Sequence, residues 1–173
     1  MKAVASGSPL LGTWTLKSYV VTAGTGETST PYGEHPMGYL SYSADGRMQA
    51  IGTSSGRIVP LNPIPRDEER VALHETMFAY AGTYSLEAGK VTHHVDISWN
   101  EVWNGTDQIR FYEVKGTTLT LTSRAIDPTS GREAQYIVVW EKVTSPPSPA
   151  SKGAARLVRS AATSHVSEHC SAH

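Results

Sequence analysis

The sequence predicts an all-β fold, namely a single antiparallel barrel of eight strands with one short helix and a C-terminal tail. Up to residue 143, apolar side chains alternate with other side chains at a period of two, which is the pattern of a half-buried strand. Turn residues separate these runs, and one segment has helical spacing instead. We expect such an up-and-down sheet to close, because closure removes exposed edges. A β-sandwich is the competing arrangement.

The first strand is predicted over residues 12–21. One face carries Trp14, Leu16, Ser18 and Val20, and the other carries Thr13, Thr15, Lys17 and Tyr19. The other seven predicted strands are residues 37–43, 47–52, 83–87, 91–98, 108–114, 118–124 and 135–143. Asp45-Gly46 joins the second and third strands and is a strong hairpin signal, because both residues tolerate a positive φ.

The predicted helix covers Pro65 to Ala81. Its apolar residues Val71, Leu73, Met77, Phe78 and Tyr80 recur at largely helical spacing. Three acidic residues, 67–69, precede them and suit the positive end of a helix dipole. We expect this helix to lie near the mouth of the barrel.

The composition changes after Val143, so the sequence predicts a barrel domain over residues 1–143 and a disordered tail over residues 144–173. The tail is rich in Pro, Ser and Ala and has no aromatic residue, so it cannot bury enough apolar area to offset its ordering entropy. Its His165, His169 and His173 would share one helix face, but the small residues around them disfavour a helix. We therefore expect no metal site.

Charge and cysteine content exclude several classes of function. The 173 residues include 15 basic and 16 acidic ones, so nothing favours binding to nucleic acid or an anionic membrane. The single cysteine, Cys170, rules out an intramolecular disulfide framework. No apolar run reaches the length of a signal peptide or a membrane span, and we expect a cytoplasmic protein. No nucleotide fingerprint or nucleophile elbow is present.

Six ordered segments resemble the small bacterial and fungal lipocalin-like domain family. They are Leu11-Gly12-Thr13-Trp14, the Tyr42 to Gly46 hairpin, the Tyr80 to Tyr84 run, Val91 to Val95, Trp103 to Arg110, and Val139-Trp140-Glu141. The resemblance implies an eight-stranded calyx that takes a small, mostly apolar ligand. Some fungal members of the family resemble cofactor-free isomerases or cyclases of natural-product pathways.

Alternation predicts which side chains line the lumen once Trp14 is taken as inward, as lipocalin-like barrels have it. Such a lumen either fills with side chains or holds one small ligand. The candidate ligand-binding residues are Trp14, Leu40, Tyr42, Met48, Tyr84, Leu119, Leu121 and Trp140, together with the rim residues Trp99 and Trp103. The two rim tryptophans either stack on a ligand or cap the core.

Two residues are the main candidates for lumenal chemistry. His93 and His94 must face opposite sides of their strand, and the apolar face with Val91, Val95 and Ile97 places His93 inside. His93 is either a proton carrier or a core histidine bonded to a tyrosine. Arg110 either binds a carboxylate or enolate in the lumen or packs across Trp14 at the closed end.

The sequence leaves two main functional hypotheses. The first is a cofactor-independent isomerase or cyclase acting on a small hydrophobic natural-product intermediate, without metal. His93 would move the proton, and Arg110 with Tyr112 or Tyr136 would hold the developing oxyanion. The second is a non-catalytic carrier of a small hydrophobic molecule. A filled barrel that acts through a protein partner is a third reading, and a homodimer is possible in all of them.

Overall fold

The structure is a computed structural model that describes residues 7–126 and 131–144. Its strands are β1 (Gly12–Ala23), β2 (Thr28–Ser29), β3 (Met37–Tyr42), β4 (Arg47–Thr53), β5 (Met77–Glu87), β6 (Lys90–Ser98), β7 (Asp107–Lys115), β8 (Thr118–Ile126) and β9 (Glu133–Lys142). The helix α1 spans Asp67–Glu75, and a single 3-10 turn spans Glu101–Trp103. None of the helices in the described ranges is both long and apolar enough to cross a membrane.

Pairing of the first long strand with the last one closes the sheet. Each strand from β3 to β9 pairs antiparallel with its neighbour in sequence, and β1 pairs with both β3 and β9. The two-residue strand β2 only extends the sheet beside the end of β1. The remaining eight strands form a closed antiparallel barrel, which confirms the predicted barrel rather than the sandwich.

One end of the barrel is filled by large side chains. Its fully or nearly fully buried core includes Leu10, Trp14, Leu40, Tyr42, Met48, Tyr84 and Leu119. The indole nitrogen of Trp14 donates to the carbonyl of Leu10 at 2.8 Å, and the Lys142 ammonium lies 4.8 Å from the Trp14 ring centre. Lys142 therefore occupies the position over Trp14 that the sequence allowed for Arg110.

A β-bulge in β1 reverses the predicted facing of its second half. The register with β9 shifts between Leu16 and Ser18, and beyond it Tyr19 pairs with Val138. An extra residue in one strand turns the following side chains to the other face. The prediction that Ser18 and Val20 face inward and Tyr19 outward was therefore wrong, since Tyr19 packs against the core.

A second bulge corrects the prediction for the end of β6. The register between β5 and β6 shifts from Gly82 opposite Val95 to Ala81 opposite Ile97, which leaves Asp96 as the extra residue. Ile97 consequently points outward and is 64% exposed, although the sequence predicted it to face inward with Val95.

The helix is shorter than predicted because its last residues form a strand. Residues 77–81 belong to β5, where Phe78 is buried and Tyr80 packs against the core. Burying these aromatic rings inside the barrel outweighs the local helical spacing. No residue of α1 itself is buried. The predicted tail, with His165, His169 and His173, lies outside the described residues apart from residue 144.

We predict that Gly82→Ala destabilises the barrel by about 3 kcal/mol, the upper range for overpacking a tight site. A methyl group at this position would overlap the carbonyl oxygen of His94 at the β6 bulge. Chemical denaturation measures the loss. The matched control is Gly7→Ala, where the added carbon meets no atom within 4 Å. Equal stabilities of the two variants would contradict the close approach.

Candidate functional site

A cavity of about 810 Å³ occupies the end of the barrel opposite the Trp14 core. This volume lies in the range of small-molecule sites, roughly 300–1,000 Å³. Aromatic and aliphatic side chains form most of the wall: Tyr19, Val21, Tyr32, Phe78, Tyr80, Trp99, Trp103, Leu121, Tyr136, Val138 and Trp140. Its polar side chains include Gln108, Arg110 and Ser123. The cavity therefore suits a mainly apolar molecule with a few polar atoms.

Tyr19, Tyr32 and Phe78 form an aromatic cluster in this wall. The rings of Tyr19 and Tyr32 meet edge to face with centres 4.9 Å apart, and those of Tyr32 and Phe78 with centres 5.2 Å apart. Tyr32 lies in the connection between β2 and β3, and its carbonyl accepts a hydrogen bond from the Ser55 amide at 3.0 Å. Two loops are thus joined over this side of the cavity.

His93 lies inside the barrel wall between two tyrosines. Its Nε2 is 2.7 Å from the Tyr42 hydroxyl and its Nδ1 is 3.0 Å from the Tyr80 hydroxyl. The side chain has no exposed surface, and burial, with a smaller effect of the Arg110 charge, lowers the pKa of His93 to about 3. The ring is therefore neutral at pH 7. A neutral imidazole has one donor and one acceptor, so one tyrosine donates to it and the other accepts from it.

Tyr80 connects His93 to the cavity. It lines the cavity and lies close enough to Arg110 for a hydrogen bond between the side chains. Burial raises the pKa of Tyr80, although the Arg110 charge opposes that shift. Tyr80 therefore keeps its proton at neutral pH. Any exchange between His93 and a ligand would pass through the Tyr80 hydroxyl, because both ring nitrogens of His93 are already bonded.

Arg110 points into the cavity from β7. Its guanidinium donates to the carbonyl of Ile109 at 2.9 Å and to the side-chain oxygen of Gln108 at 3.3 Å. None of the ion pairs found in the described parts of the chain involves Arg110. A guanidinium inside an apolar wall normally pairs with an anion or another acceptor. Arg110 is thus available to an oxygen of a bound molecule.

The structure divides the predicted site residues into two groups. Those that line the cavity are Arg110, Tyr136, Trp99, Trp103, Leu121 and Trp140. Those that fill the closed end are Trp14, Leu40, Tyr42, Met48, Tyr84 and Leu119. Tyr112 faces inward and packs against the core without lining the cavity. His93 belongs to the wall beneath Tyr80. Apart from Tyr42, which bonds to His93, the residues at the closed end can affect a ligand only by shaping the cavity floor.

Sequence analysis missed several cavity residues. Tyr80 and Phe78 were assigned to the helix, but the alternation Phe78, Tyr80, Gly82, Tyr84 continues into β5 and could have revealed them. Tyr19 was hidden by the β1 bulge. Tyr32 lies in an irregular connection, where no periodic signal exists.

The comparisons with known proteins agree with this architecture. The family model described as a lipocalin-like domain matches residues 11–143. The chain belongs to the lipocalin-like domain family. A search of curated proteins finds no match to it. The lipocalin-like barrel supports the binding of a small hydrophobic molecule at a general level.

We predict that neutral, buried His93 makes the protein less stable as the pH falls from 6.5 to 5. The folded pKa is about 3, whereas an unfolded histidine titrates near ~6.5. The unfolded state therefore takes up more protons in this window, and stability present above pH 6.5 is lost on acidification. His93→Gln should reduce the difference between the unfolding free energies at pH 7 and pH 5 by about 2 kcal/mol. Denaturation at both pH values measures it, and an unchanged difference would contradict the assignment.

Proposed function

We propose that this lipocalin-like protein binds a small, mainly apolar molecule carrying an acidic or carbonyl oxygen, and that Arg110 binds this oxygen. The observation behind the proposal is a guanidinium in the wall of an 810 Å³ cavity with no carboxylate partner among the described residues. Charged hydrogen bonds to such a group are the strong ones, and a guanidinium matches a carboxylate or an enolate in geometry.

Two further polar side chains in the cavity wall support an oxygen-bearing ligand. Gln108 and Ser123 line the cavity together with Arg110, and each side chain can donate a hydrogen bond. Trp99 and Trp140 line it as well, but their indole nitrogens are buried and do not face the cavity. A molecule with more than one oxygen would suit this wall better than a plain hydrocarbon.

Arg110→Gln should weaken the binding of an apolar fluorescent carboxylate by about 10- to 100-fold, since hydrogen bonds to charged groups contribute about 1.5–3 kcal/mol. The uncharged methyl ester of the same dye should bind both proteins within about threefold of each other. Fluorescence titration measures the four affinities.

The matched control for this titration is Arg124→Gln. Arg124 is exposed on β8, where it lies 4.0 Å from Glu133, and it does not line the cavity. The control should bind the carboxylate as the parent protein does. Equal loss in both variants, or no preference for the carboxylate in the parent, would overturn the role of Arg110.

The second candidate is a cofactor-independent isomerase or cyclase, favoured by the hydrogen-bonded series Tyr42, His93, Tyr80 and Arg110. A ligand carbonyl that accepts bonds from both Tyr80 and Arg110 would hold more negative charge on its oxygen, which makes a neighbouring C–H bond more acidic. A water molecule entering the cavity would take that C–H proton, and the return of a proton at another carbon, or attack by the enolate, would complete the isomerisation or ring closure. In this scheme His93 is a positioning residue that orients the Tyr80 hydroxyl. A natural-product intermediate, a cytoplasmic location and a homodimer stay predictions from the sequence.

If the protein is an isomerase or a cyclase, its ligand should take up deuterium from the solvent. A molecule extracted from protein purified from its native source is incubated with fresh protein in D₂O and followed by mass spectrometry. Tyr80→Phe should slow deuterium uptake by at least about 100-fold, the scale of acid–base catalysis, while weakening the affinity by no more than about tenfold, the scale of one neutral hydrogen bond. Tyr112→Phe is the control, because Tyr112 packs away from the cavity. If the parent protein binds the ligand without deuterium exchange, the enzyme candidate is contradicted and only the carrier function remains.

A further inference from the structure

A serine, a histidine and an aspartate form a hydrogen-bonded row on the outer wall of the barrel. Ser85, His94 and Asp107 lie on the adjacent strands β5, β6 and β7. The Ser85 hydroxyl is 3.0 Å from Nε2 of His94, and Nδ1 of His94 is 2.6 Å from a carboxylate oxygen of Asp107. Ser85 and Asp107 are exposed. The row therefore lies outside the cavity and is open to reagents in solution.

The aspartate determines which nitrogen of His94 carries the proton. An ionised carboxylate only accepts hydrogen bonds, so the Nδ1 of neutral His94 donates to Asp107. Nε2 is then unprotonated and accepts from the Ser85 hydroxyl. This is the order in which a histidine acts as the base for a serine nucleophile, with the aspartate holding the ring orientation.

A cation lies on the same outer face. Arg47 of β4 is opposite Thr83 of β5, which is in turn opposite His94 of β6. The Arg47 guanidinium forms an ion pair with Asp96 of β6, so it crosses β5 on the side of His94 that faces away from Ser85. This guanidinium is already paired with a carboxylate and is assigned no role at Ser85.

An apolar groove also lies on the outer wall, around residues 79–81 of β5 and at least four positions along the strand from Ser85. It has a volume of about 470 Å³, and its wall includes Tyr39, Ile51, Ala79, Ala81 and Ile97. Small alanines form its floor between larger side chains, and Ala81 precedes Thr83 by two positions on the same face of β5. The Arg47–Asp96 ion pair crosses β5 between this groove and Ser85, so the groove is separate from the row.

We propose that Ser85, His94 and Asp107 form a second, acyl-transfer site that takes small esters. The Ser85 oxygen attacks the carbonyl carbon while its proton passes to Nε2 of His94. The tetrahedral intermediate then expels the alkoxide, which receives that proton from His94. Water attacks the acyl-serine through the same histidine and releases the carboxylic acid and free Ser85.

The test is covalent labelling with an alkyl fluorophosphonate, which reacts with activated serines, followed by intact-mass measurement and peptide mapping. One adduct on Ser85 is expected, and Ser85→Ala should abolish it. Asp107→Asn should slow labelling by about 100-fold, because the amide favours the other tautomer of His94. Hydrolysis of p-nitrophenyl acetate should fall in parallel in both variants.

The matched control is Ser18→Ala on the far strand β1, where the strand partner is Val139 and not a histidine. It should label at the parent rate. Should Asp107→Asn fail to fold, His94→Gln supplies the second variant, with the same expected loss. No adduct in the parent protein, an adduct mapped to another residue, or a parental rate in a folded Asp107→Asn or His94→Gln variant would overturn the proposal.

Discussion

The pairing of β1 with β9 is the constraint on which the rest of the structure depends. Once these strands pair, every residue of the sheet faces either the lumen or the outside, and the lumen must be filled or occupied. Large side chains around Trp14 fill one end. The volume left at the other end is the cavity. The position of the candidate site therefore follows from closure together with the distribution of side-chain sizes along the strands.

Two β-bulges, one in β1 and one in β6, modify this regular arrangement. The β1 bulge turns Tyr19 into the cavity wall, and the β6 bulge turns Ile97 out to the apolar groove on the outer wall. Each bulge changes which face receives the following side chains. The second one brings the backbone of β6 so close to β5 that only a glycine fits at position 82. Both regions of interest therefore depend on departures from regular strand pairing.

Alternation from the sequence was sufficient to predict the barrel and most inward residues, since Trp14 and His93 are both fully buried. It failed where local rules and tertiary packing disagree. A bulge leaves no mark in hydrophobic spacing, which is why Tyr19 was assigned outward. Tyr80 has helical neighbours, and only burial in the closed sheet makes it a strand residue. Which inward residues fill the closed end and which line the cavity depends on how side chains from several strands pack together. The alternation pattern of a single strand does not contain that information.

The two histidines of β6 illustrate how the wall separates two environments. His93 faces inward, where burial favours the neutral ring and lowers its pKa, while His94 faces outward beside a carboxylate. An apolar pair of similar volume in place of His93 and Tyr42 would avoid the desolvation of polar groups, so stability alone does not account for them. Tyr42 bonds to His93, and the bond from His93 to Tyr80 fixes one hydroxyl beside Arg110 in the cavity. Adjacent positions on one strand can thus serve two different chemistries, because the pleat directs them to opposite sides.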